Sequence, residues 1–266
     1  MKKGDNMQQL HYGMPTLIET STLEECAKLC AELGLDFIEL NMNLLQYQLD
    51  KIDVDYFKSI ADKYGIYYTI HLDENLNVCD FNTYVADAYK KTVADAIKIA
   101  KLLNVRVLNM HMAKGVYFTL PDRKVLLFSE YKDRYLESIV DFRDMCENAI
   151  GGADIKICIE NCDGYEDFQK EAIEILLESQ VVALTFDVGH NHGIGGTDEE
   201  FIMKHKERLT HIHLHDAKGR KNHLTLGTGE MDIEKYLSLA KEQNCRVVLE
   251  TKTIAGLKQS VEWLKG

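Results

Sequence analysis

The sequence predicts an α/β protein of the (β/α)8 TIM-barrel type, and three observations lead to this fold class. Short aliphatic runs typical of buried strands alternate with amphipathic stretches that carry helix signals. Eight such pairs fill the 266 residues, so each unit has about 33 residues, the size expected of a barrel with helical crossovers. No glycine-rich phosphate loop follows the first strand, which counts against the alternative, an open doubly wound sheet.

The predicted elements follow one another without a linker, a low-complexity segment or a repeat larger than the strand–helix unit. The first helix begins at the capping box Ser21-Thr22-Leu23-Glu24 and ends at Gly34. Strands are predicted near residues 9–13, 36–41, 66–71, 105–111, 155–160, 181–187, 209–215 and 246–250. The remaining helices are predicted over 53–63, 82–103, 131–150, 166–179, 199–206, 232–243 and 254–265. Residues 1–266 are therefore predicted to form a single domain.

Composition narrows the class of protein. The formal net charge is −12 and 45% of the residues are hydrophobic, which is ordinary for a soluble globular chain and disfavours a nucleic-acid partner. No apolar run is long enough to span a bilayer, and residues 1–6 lead into no apolar signal core. The seven cysteines are an odd number and are interpreted as reduced thiols. We therefore expect a cytoplasmic protein without a membrane partner.

Strand parity places a titratable residue at the C-terminal end of six predicted strands. Residues i and i+2 share one face of a strand, so Glu160 lies opposite the three isoleucines of 155–159, and Asp187 lies opposite the aliphatic face of 182–186. The aliphatic face packs on the helices, so the other face points into the barrel and ends at the mouth where active sites of this fold lie. The six residues are Glu39, His71, His111, Glu160, Asp187 and Glu250.

The seventh strand adds His211, His213 and His215 on one face, and the loops nearby add His190, His192 and His223. Clustered carboxylates raise one another's pKa, and a divalent cation removes this repulsion. Mixed Glu, Asp and His ligands suit Mn, Mg, Co, Fe or Zn. His211 lies deeper in its strand and is interpreted as structural, whereas His215 and His192 are left open between supporting the site and belonging to a loop.

The cysteines do not follow a metal-binding pattern. Cys158 and Cys162 form a C-x3-C pair, which is not zinc spacing, and Cys26 and Cys30 are one helical turn apart. All four are interpreted as core or incidental thiols.

Short motifs at the strand ends occur in a fixed order over nearly the whole chain. They are Leu33-Gly34-Leu35-Asp36-Phe37-Ile38-Glu39-Leu40, Ile159-Glu160-Asn161, Asp187-Val188-Gly189-His190, His213-Leu214-His215-Asp216-Ala217-Lys218, Leu226-Gly227-Thr228-Gly229 and Leu249-Glu250. Together they resemble the xylose-isomerase-like TIM-barrel superfamily, which includes sugar and sugar-phosphate isomerases and epimerases and also endonuclease IV. Members of this superfamily differ widely in chemistry.

The resemblance to the isomerases and epimerases implies one divalent metal held by Glu160, Asp187, His213 and Glu250. It also implies that Glu160 and Glu250 exchange protons with a substrate carbon on opposite faces, through an enediolate that the metal stabilises. His190 would then contact a substrate hydroxyl or oxyanion. The implied partner is a small sugar or sugar phosphate.

The resemblance to endonuclease IV implies a different use of the histidines. His71 and His111 would hold a second metal with Glu160, and His190 and His223 would supply two ligands of a third, giving two or three zinc ions that cleave phosphodiesters at abasic DNA sites. The chain departs from that pattern, because Lys221 stands where the family has an Asp. A metal-dependent lyase or dehydratase and a non-catalytic sugar-binding barrel are further alternatives, and association into a homo-oligomer is left open.

Two loops carry candidate substrate-binding residues. The segment 112–123, which contains Lys114, is long for a βα loop and is either a lid or a surface loop. The cluster 218–221, with Lys218 and Arg220, either binds a phosphate or carboxylate or is a solvated loop. Glu39 is the fourth candidate for substrate binding.

Overall fold

Residues 10–266 are described by a computed structural model, in which eight parallel strands close into a barrel. Strands β1 and β8 pair through His11 and Arg246, so the sheet has no open edge. The strands are β1 His11–Pro15, β2 Phe37–Asn41, β3 Tyr67–His71, β4 Val107–His111, β5 Lys156–Glu160, β6 Val182–Asp187, β7 Leu209–Leu214 and β8 Arg246–Leu249. The predicted (β/α)8 fold is confirmed. Strand β1 begins two residues later than predicted, and residue 9 lies outside the described residues.

A helix follows every strand, as the alternation in the sequence predicts. The barrel helices are α1 Leu23–Leu33, α2 Val54–Tyr64, α3 Thr83–Leu103, α4 Lys132–Ile150, α5 Asp167–Leu177, α6 Glu199–Lys204, α7 Ile233–Gln243 and α8 Ile254–Lys265. Short helices at Leu127–Glu130 and Val188–Gly193 precede α4 and α6. Helix α6 ends two residues earlier than predicted, because the chain tightens into a 3-10 turn at Lys206–Arg208.

The start of α1 differs from the predicted capping box by one residue. Thr22, not Ser21, is the N-cap, and its side chain accepts a hydrogen bond from the Glu25 amide at 3.1 Å. Glu25 in turn accepts from the amide of Ser21 at 2.8 Å. Gly34 ends the helix with φ at 73°, a conformation that favours glycine.

The barrel interior separates a small apolar layer from a polar layer above it. Val107, Cys158 and Ala183 form a buried cluster of their own, distinct from the large core between sheet and helices. These three residues share their strand faces with His111, Glu160 and Asp187, two positions or more further along each strand, as the parity argument predicts. The titratable strand ends are therefore carried on the inner face.

Two short hairpins replace stretches that the sequence analysis treats as loops. Tyr117–Thr119 pairs with Lys124–Leu126 after β4, and Asp216–Lys218 pairs with Lys221–Leu224 after β7. Strands of three or four residues carry too few positions for a periodic pattern to register. Both hairpins stand at the C-terminal mouth of the barrel.

Two expectations drawn from composition can be compared with the described residues. All seven cysteines are free, and six of them are buried, with Cys162 only partly so. In residues 10–266, no helix is long and apolar enough to cross a membrane.

Candidate active site

Four side chains from consecutive strands meet at the C-terminal mouth. Glu160, Asp187 and His213 lie near the ends of β5, β6 and β7, and Glu250 directly follows β8. One ligand atom of each lies within 4.8 Å of all the others. The Nδ1 atom of His213 is 2.9 Å from Glu160 Oε1, 3.3 Å from Glu250 Oε2 and 4.0 Å from Asp187 Oδ2. We call these four residues the quartet.

The quartet fits a divalent cation. Ligands placed about 2.0–2.2 Å from one ion lie at most about 4.4 Å from one another, and the distances from His213 Nδ1 satisfy this. Glu250 Oε2 is buried and has no hydrogen-bond partner among the described residues, a state that is costly unless another group completes it. Three carboxylate oxygens and one imidazole nitrogen suit Mn, Mg, Co, Fe or Zn.

The electrostatics of the quartet keep Glu160 and Glu250 ionised. Burial raises the pKa of the Glu160 carboxyl, but His213 and His111 outweigh burial and hold this pKa well below its usual value. Burial also raises the pKa of the Glu250 carboxyl, but His213 and Lys252 outweigh it and hold this pKa well below its usual value. Burial lowers the pKa of His213, yet Glu160, Glu39 and Glu250 raise it well above its usual value. Without an ion, protonated histidines, His213 among them, therefore compensate the carboxylates.

Glu160 is held from both sides of its carboxylate. Its Oε1 atom faces His213, and its Oε2 atom lies 3.3 Å from the Nε2 atoms of both His71 and His111. Asn109, two residues before His111 on β4, donates a hydrogen bond from its side-chain amide to the same Oε2. Burial lowers the pKa of His71, but Glu160 raises it to about 9, which favours an ion pair between the two side chains.

Asp187 is fixed by neighbours on three elements. The side chain of Asn161 donates to the carbonyl of Asp187 at 2.9 Å and accepts from its amide at 2.9 Å. His215 Nε2 lies 3.1 Å from Asp187 Oδ1, and the same oxygen accepts from the amide of His190 at 2.6 Å. His215, left open by the sequence, thus supports Asp187, whereas His192 lies 3.0 Å from the exposed Glu230.

Glu39 lies beneath the quartet, on the far side of the His213 ring. Its Oε1 atom is 2.8 Å from His213 Nε2, in ion-pair contact rather than in a well-aligned hydrogen bond. Its Oε2 atom accepts from His211 at 2.8 Å and from Thr69 at 3.1 Å. Because the carboxylate is 2% exposed and engaged on both oxygens, it is placed to orient His213 rather than to meet a substrate. His211 has the structural position that the sequence analysis assigns to it.

His190 and His223 face each other beside the quartet. The Nδ1 atom of His190 is 3.2 Å from the carbonyl of Cys162, and that of His223 is 3.2 Å from the carbonyl of Glu250. These contacts assign the ring protons to Nδ1, so two Nε2 atoms face each other at 3.3 Å. Two imidazoles on one tetrahedral ion have this separation, about 3.3–3.4 Å. Burial lowers the pKa of His223 to about 4, which keeps its ring neutral.

A third ligand for that pair is missing among the described residues. His215 lies close enough to complete a group of three histidines. However, its Nδ1 atom accepts from the amide of His223 at 2.8 Å and its Nε2 atom faces Asp187, so neither nitrogen is free. Lys221, at the position that departs from the endonuclease IV pattern, is exposed on the hairpin.

The cationic candidates differ in their distance from the quartet. Lys114 lines a cavity of about 240 Å3 together with His111 and Glu160, and it donates to the carbonyl of Asp163 at 3.0 Å. Lys218 and Arg220 are exposed on the hairpin after β7, and no contact joins them to the quartet within residues 10–266. All three remain candidate substrate-binding residues.

The sequence analysis assigns no role to three side chains that lie near the quartet. Asn109 and Asn161 hold Glu160 and Asp187, and Lys252 donates to Glu250 Oε1 at 2.8 Å. The parity of β4 places Asn109 on the same face as His111, a signal that could have been used. Nothing in the sequence indicates the direction of the Lys252 side chain in its loop.

Comparison with known proteins identifies the family. The model of the xylose isomerase-like TIM barrel matches residues 27–266. The chain belongs to this family. An uncharacterized protein of Methanocaldococcus jannaschii is 25% identical over 282 residues, which cover 99% of this chain and 91% of that protein. A second uncharacterized protein of the same organism is 25% identical over 77% of this chain and 79% of its own length.

Solved structures share the fold of this family member at low sequence identity. A D-tagatose 3-epimerase-like protein superposes with a TM-score of 0.79 at 23% identity, with 96% of both chains covered. The 3-keto-D-glucoside 4-epimerase of E. coli superposes with a TM-score of 0.75 at 15% identity over 97% of this chain and 99% of that one. The IOLI protein, solved with a zinc atom, superposes with a TM-score of 0.73 at 16% identity over 95% of this chain and 96% of that one.

Proposed function

We propose that this protein is a divalent-metal-dependent isomerase or epimerase of a small sugar or sugar phosphate. The observation that carries the proposal is the quartet, in which Glu160, Asp187, His213 and Glu250 converge at the mouth of the barrel with one buried, unpartnered oxygen. The family and the similarity in fold to two proteins named as epimerase or epimerase-like support it.

The chain's own residues divide the chemistry between them. Glu160 on β5 and Glu250 after β8 both contact His213, and in this proposal the sugar binds above the quartet with its reacting carbon between the two carboxylates. One carboxylate removes a proton from a carbon beside a carbonyl. The other takes up a proton from water and delivers it to the opposite face, which inverts that carbon, and the first then releases its proton to water. When bound, a divalent ion supplies charge stabilisation for the oxygens next to that carbon.

Neighbouring residues support the two bases. Lys252 contacts Glu250 at 2.8 Å, and Asn109, His71 and His111 hold Glu160. Side chains locked in this way maintain the alignment that proton transfer needs. The cavity beside Glu160, which Lys114 also lines, provides space for the substrate.

The experiment measures proton exchange. The metal-loaded protein is incubated in deuterium oxide with free and phosphorylated ketoses and aldoses, and deuterium at carbon is followed by NMR. We expect exchange with at least one sugar, and a loss of about 100-fold or more in Glu160→Gln and in Glu250→Gln, because each variant lacks one base. Glu147→Gln, an exposed carboxylate on α4, is the matched control.

Metal content is measured for each variant, because Glu160 and Glu250 are ligand candidates as well as bases. Loss of exchange with retained metal assigns a base, and loss of both assigns a ligand. If the wild-type protein exchanges no proton in any sugar of the panel, the proposal is wrong. If Glu160→Gln keeps full activity, the role assigned to Glu160 is wrong.

A second candidate function is a multi-zinc phosphodiesterase of the endonuclease IV kind. It is favoured by the 3.3 Å approach of the His190 and His223 Nε2 atoms and by the convergence of His71 and His111 on Glu160. The engaged nitrogens of His215 weigh against it. Elemental analysis showing two or three zinc ions per chain, with incision of a duplex that contains an abasic site, would establish this function in place of the first.

A further inference from the structure

A second cavity lies at the N-terminal end of the barrel, opposite the quartet. Its volume is about 440 Å3, and residues that begin strands β1, β3 and β8, or directly precede β4 and β8, line it. The lining residues are His11, Tyr67, Asn104, Arg106, Asn244, Cys245 and Arg246. None of them is acidic, although the chain as a whole has a net charge of −12.

Arg246 is the most unusual residue of this cavity. It begins β8, pairs in register with His11 of β1 and His211 of β7, and has the same strand parity as Glu250. Its Nε atom is buried without a hydrogen-bond partner, and no carboxylate of residues 10–266 lies within 4 Å of its guanidinium. Arg246 as a whole is half-buried, and a guanidinium partly withdrawn from water with no carboxylate partner among residues 10–266 is suited to bind an anion.

The rest of the lining offers further hydrogen-bond donors. Arg106 brings a second guanidinium, whose only ion-pair partner in the described chain is Asp154 at 3.3 Å, where both side chains are exposed. The Tyr67 hydroxyl lies 3.2 Å from His11 Nδ1, and the Tyr67 ring packs 5.8 Å from the Arg246 guanidinium. The ring therefore positions the arginine toward the cavity.

The C-terminal ends of two helices offset only part of this positive charge. Asn104 and Asn244, which line the same cavity, are the C-caps of helices α3 and α7. A helix C-terminus is equivalent to about half a negative charge, so two helix ends offset roughly one of the two guanidinium charges. Asp154 contacts Arg106 only in an exposed ion pair, which contributes little, so positive charge remains at Arg246 for a ligand.

We propose that this cavity binds the phosphate group of a free ion or of a small phosphorylated molecule. Guanidinium groups bind phosphate through paired, charge-assisted hydrogen bonds. The volume falls in the range of small-molecule sites, so an organic substituent on the phosphate can be accommodated. The site is separate from the proposed catalytic centre and does not depend on the proposed function.

The test measures binding of inorganic phosphate and of glycerol 2-phosphate by isothermal titration calorimetry. Glycerol 2-phosphate has no carbonyl group and cannot undergo the proposed proton transfer. We expect one site per chain with a dissociation constant below about 10 mM. Binding is expected to weaken about tenfold or more in Arg246→Met and severalfold in Arg106→Met, because each variant loses charge-assisted hydrogen bonds.

Two further variants make the result decisive. Arg134→Met makes the same substitution at an exposed position of α4, outside both cavities, and is expected to bind phosphate as the wild type does. Arg246→Lys keeps the charge and is expected to bind better than Arg246→Met, which separates loss of charge from loss of packing. Arg106 is exposed, so its variant tests the site even if Arg246→Met does not fold.

The proposal is overturned if the wild-type protein binds neither compound, if the Arg246 and Arg106 variants bind as tightly as the wild type, or if Arg134→Met loses binding as Arg246→Met does. Binding of inorganic phosphate without glycerol 2-phosphate would identify the free ion as the ligand. Binding of both would identify the esterified phosphate as an accepted ligand.

Discussion

His213 is the side chain on which the candidate site depends most, since both of its ring nitrogens are engaged. Nδ1 faces Glu160 and Glu250, and Nε2 contacts Glu39 from below. A carboxylate behind a ligand histidine fixes the orientation of the ring and increases its basicity. Glu39 is therefore expected to tune the quartet without belonging to it.

Replacing Glu39 with Gln tests this role. We expect the affinity for the divalent ion to fall about 10- to 100-fold, the range for partners of ligand histidines, while the fold is retained. Titration with manganese or zinc, followed by calorimetry, measures the change. Glu32→Gln, an exposed carboxylate on α1, serves as the control, and equal affinities in the two variants would contradict the assigned role.

At the residue scale, the sequence indicates which side chains reach the mouth but not what each one contacts. Parity alone brings Glu160, Asp187 and His213 to the inner face. It cannot show that Glu39 stops beneath the His213 ring, because that depends on the depth of each strand in the barrel and on side-chain rotamers. The contact between Lys252 and Glu250 is unpredictable for the same reason.

At the scale of elements, the short helix Val188–Gly193 ties Asp187 to the hairpin that follows β7. Asp187 is the N-cap of this helix, and Gly189 lies against the ring of His215. A Cβ at position 189 would overlap that ring. The glycine is thus needed for close approach and not for an unusual backbone angle.

Substituting Gly189 with Ala is expected to displace His215 and release Asp187. Overpacking of this kind costs about 1–3 kcal/mol of stability, and we expect the affinity for metal to fall as well. Urea unfolding and a metal titration measure the two effects. Gly152→Ala is the control, because a Cβ there meets nothing within 4 Å. If the Gly189 variant is as stable as this control and binds metal as tightly, His215 does not hold Asp187.

The two hairpins show where prediction of elements stops. Barrel strands and helices carry a periodic pattern, over four residues in β8 and over five or more in the others, and all sixteen follow from it. The hairpin after β4 is exposed at Tyr117 and Phe118, so no buried face marks it in the sequence. Its strands are fixed by their mutual backbone hydrogen bonds and by packing of Lys124 over Tyr117 at 4.5 Å.

At the scale of the whole molecule, metal binding is expected to stabilise the fold, because the four ligands come from four strands. A free metal concentration about 100-fold above the dissociation constant adds about 2.7 kcal/mol, which raises Tm by about 5–10 °C. Thermal unfolding with and without a chelator measures the shift. The rise in Tm should be much smaller in Glu250→Gln and unchanged in Glu147→Gln. A rise of equal size in both variants would place the bound ion outside the quartet.

The thiols of the folded chain are expected to be unreactive. Burial raises the pKa of Cys26 and Cys158 to about 11 and that of Cys79 to about 12, so little thiolate is present near neutral pH. Titration with a thiol reagent at pH 8 should modify at most one cysteine, Cys162, before unfolding and all seven after it. Two or more fast thiols in the folded protein would contradict this expectation.

The overall architecture could be predicted because it depends on local periodicity repeated eight times. Closure of β1 on β8 follows from the number of units, although no local signal encodes the pairing of His11 with Arg246. The cavity at that seam was unpredictable, since it depends on how seven side chains from four parts of the barrel leave space between them.

The order of the quartet along the chain divides the barrel into two halves with different tasks. All four members come from β5 to β8, which are neighbours both in sequence and in space. The first four strands contribute the side chains that surround them, Glu39, His71, Asn109 and His111. Under the proposed function, exchange of residues in the first half therefore changes how Glu160 and His213 are oriented without removing any of the four ligands, so the reactivity of this barrel can diverge while its ligand set stays the same.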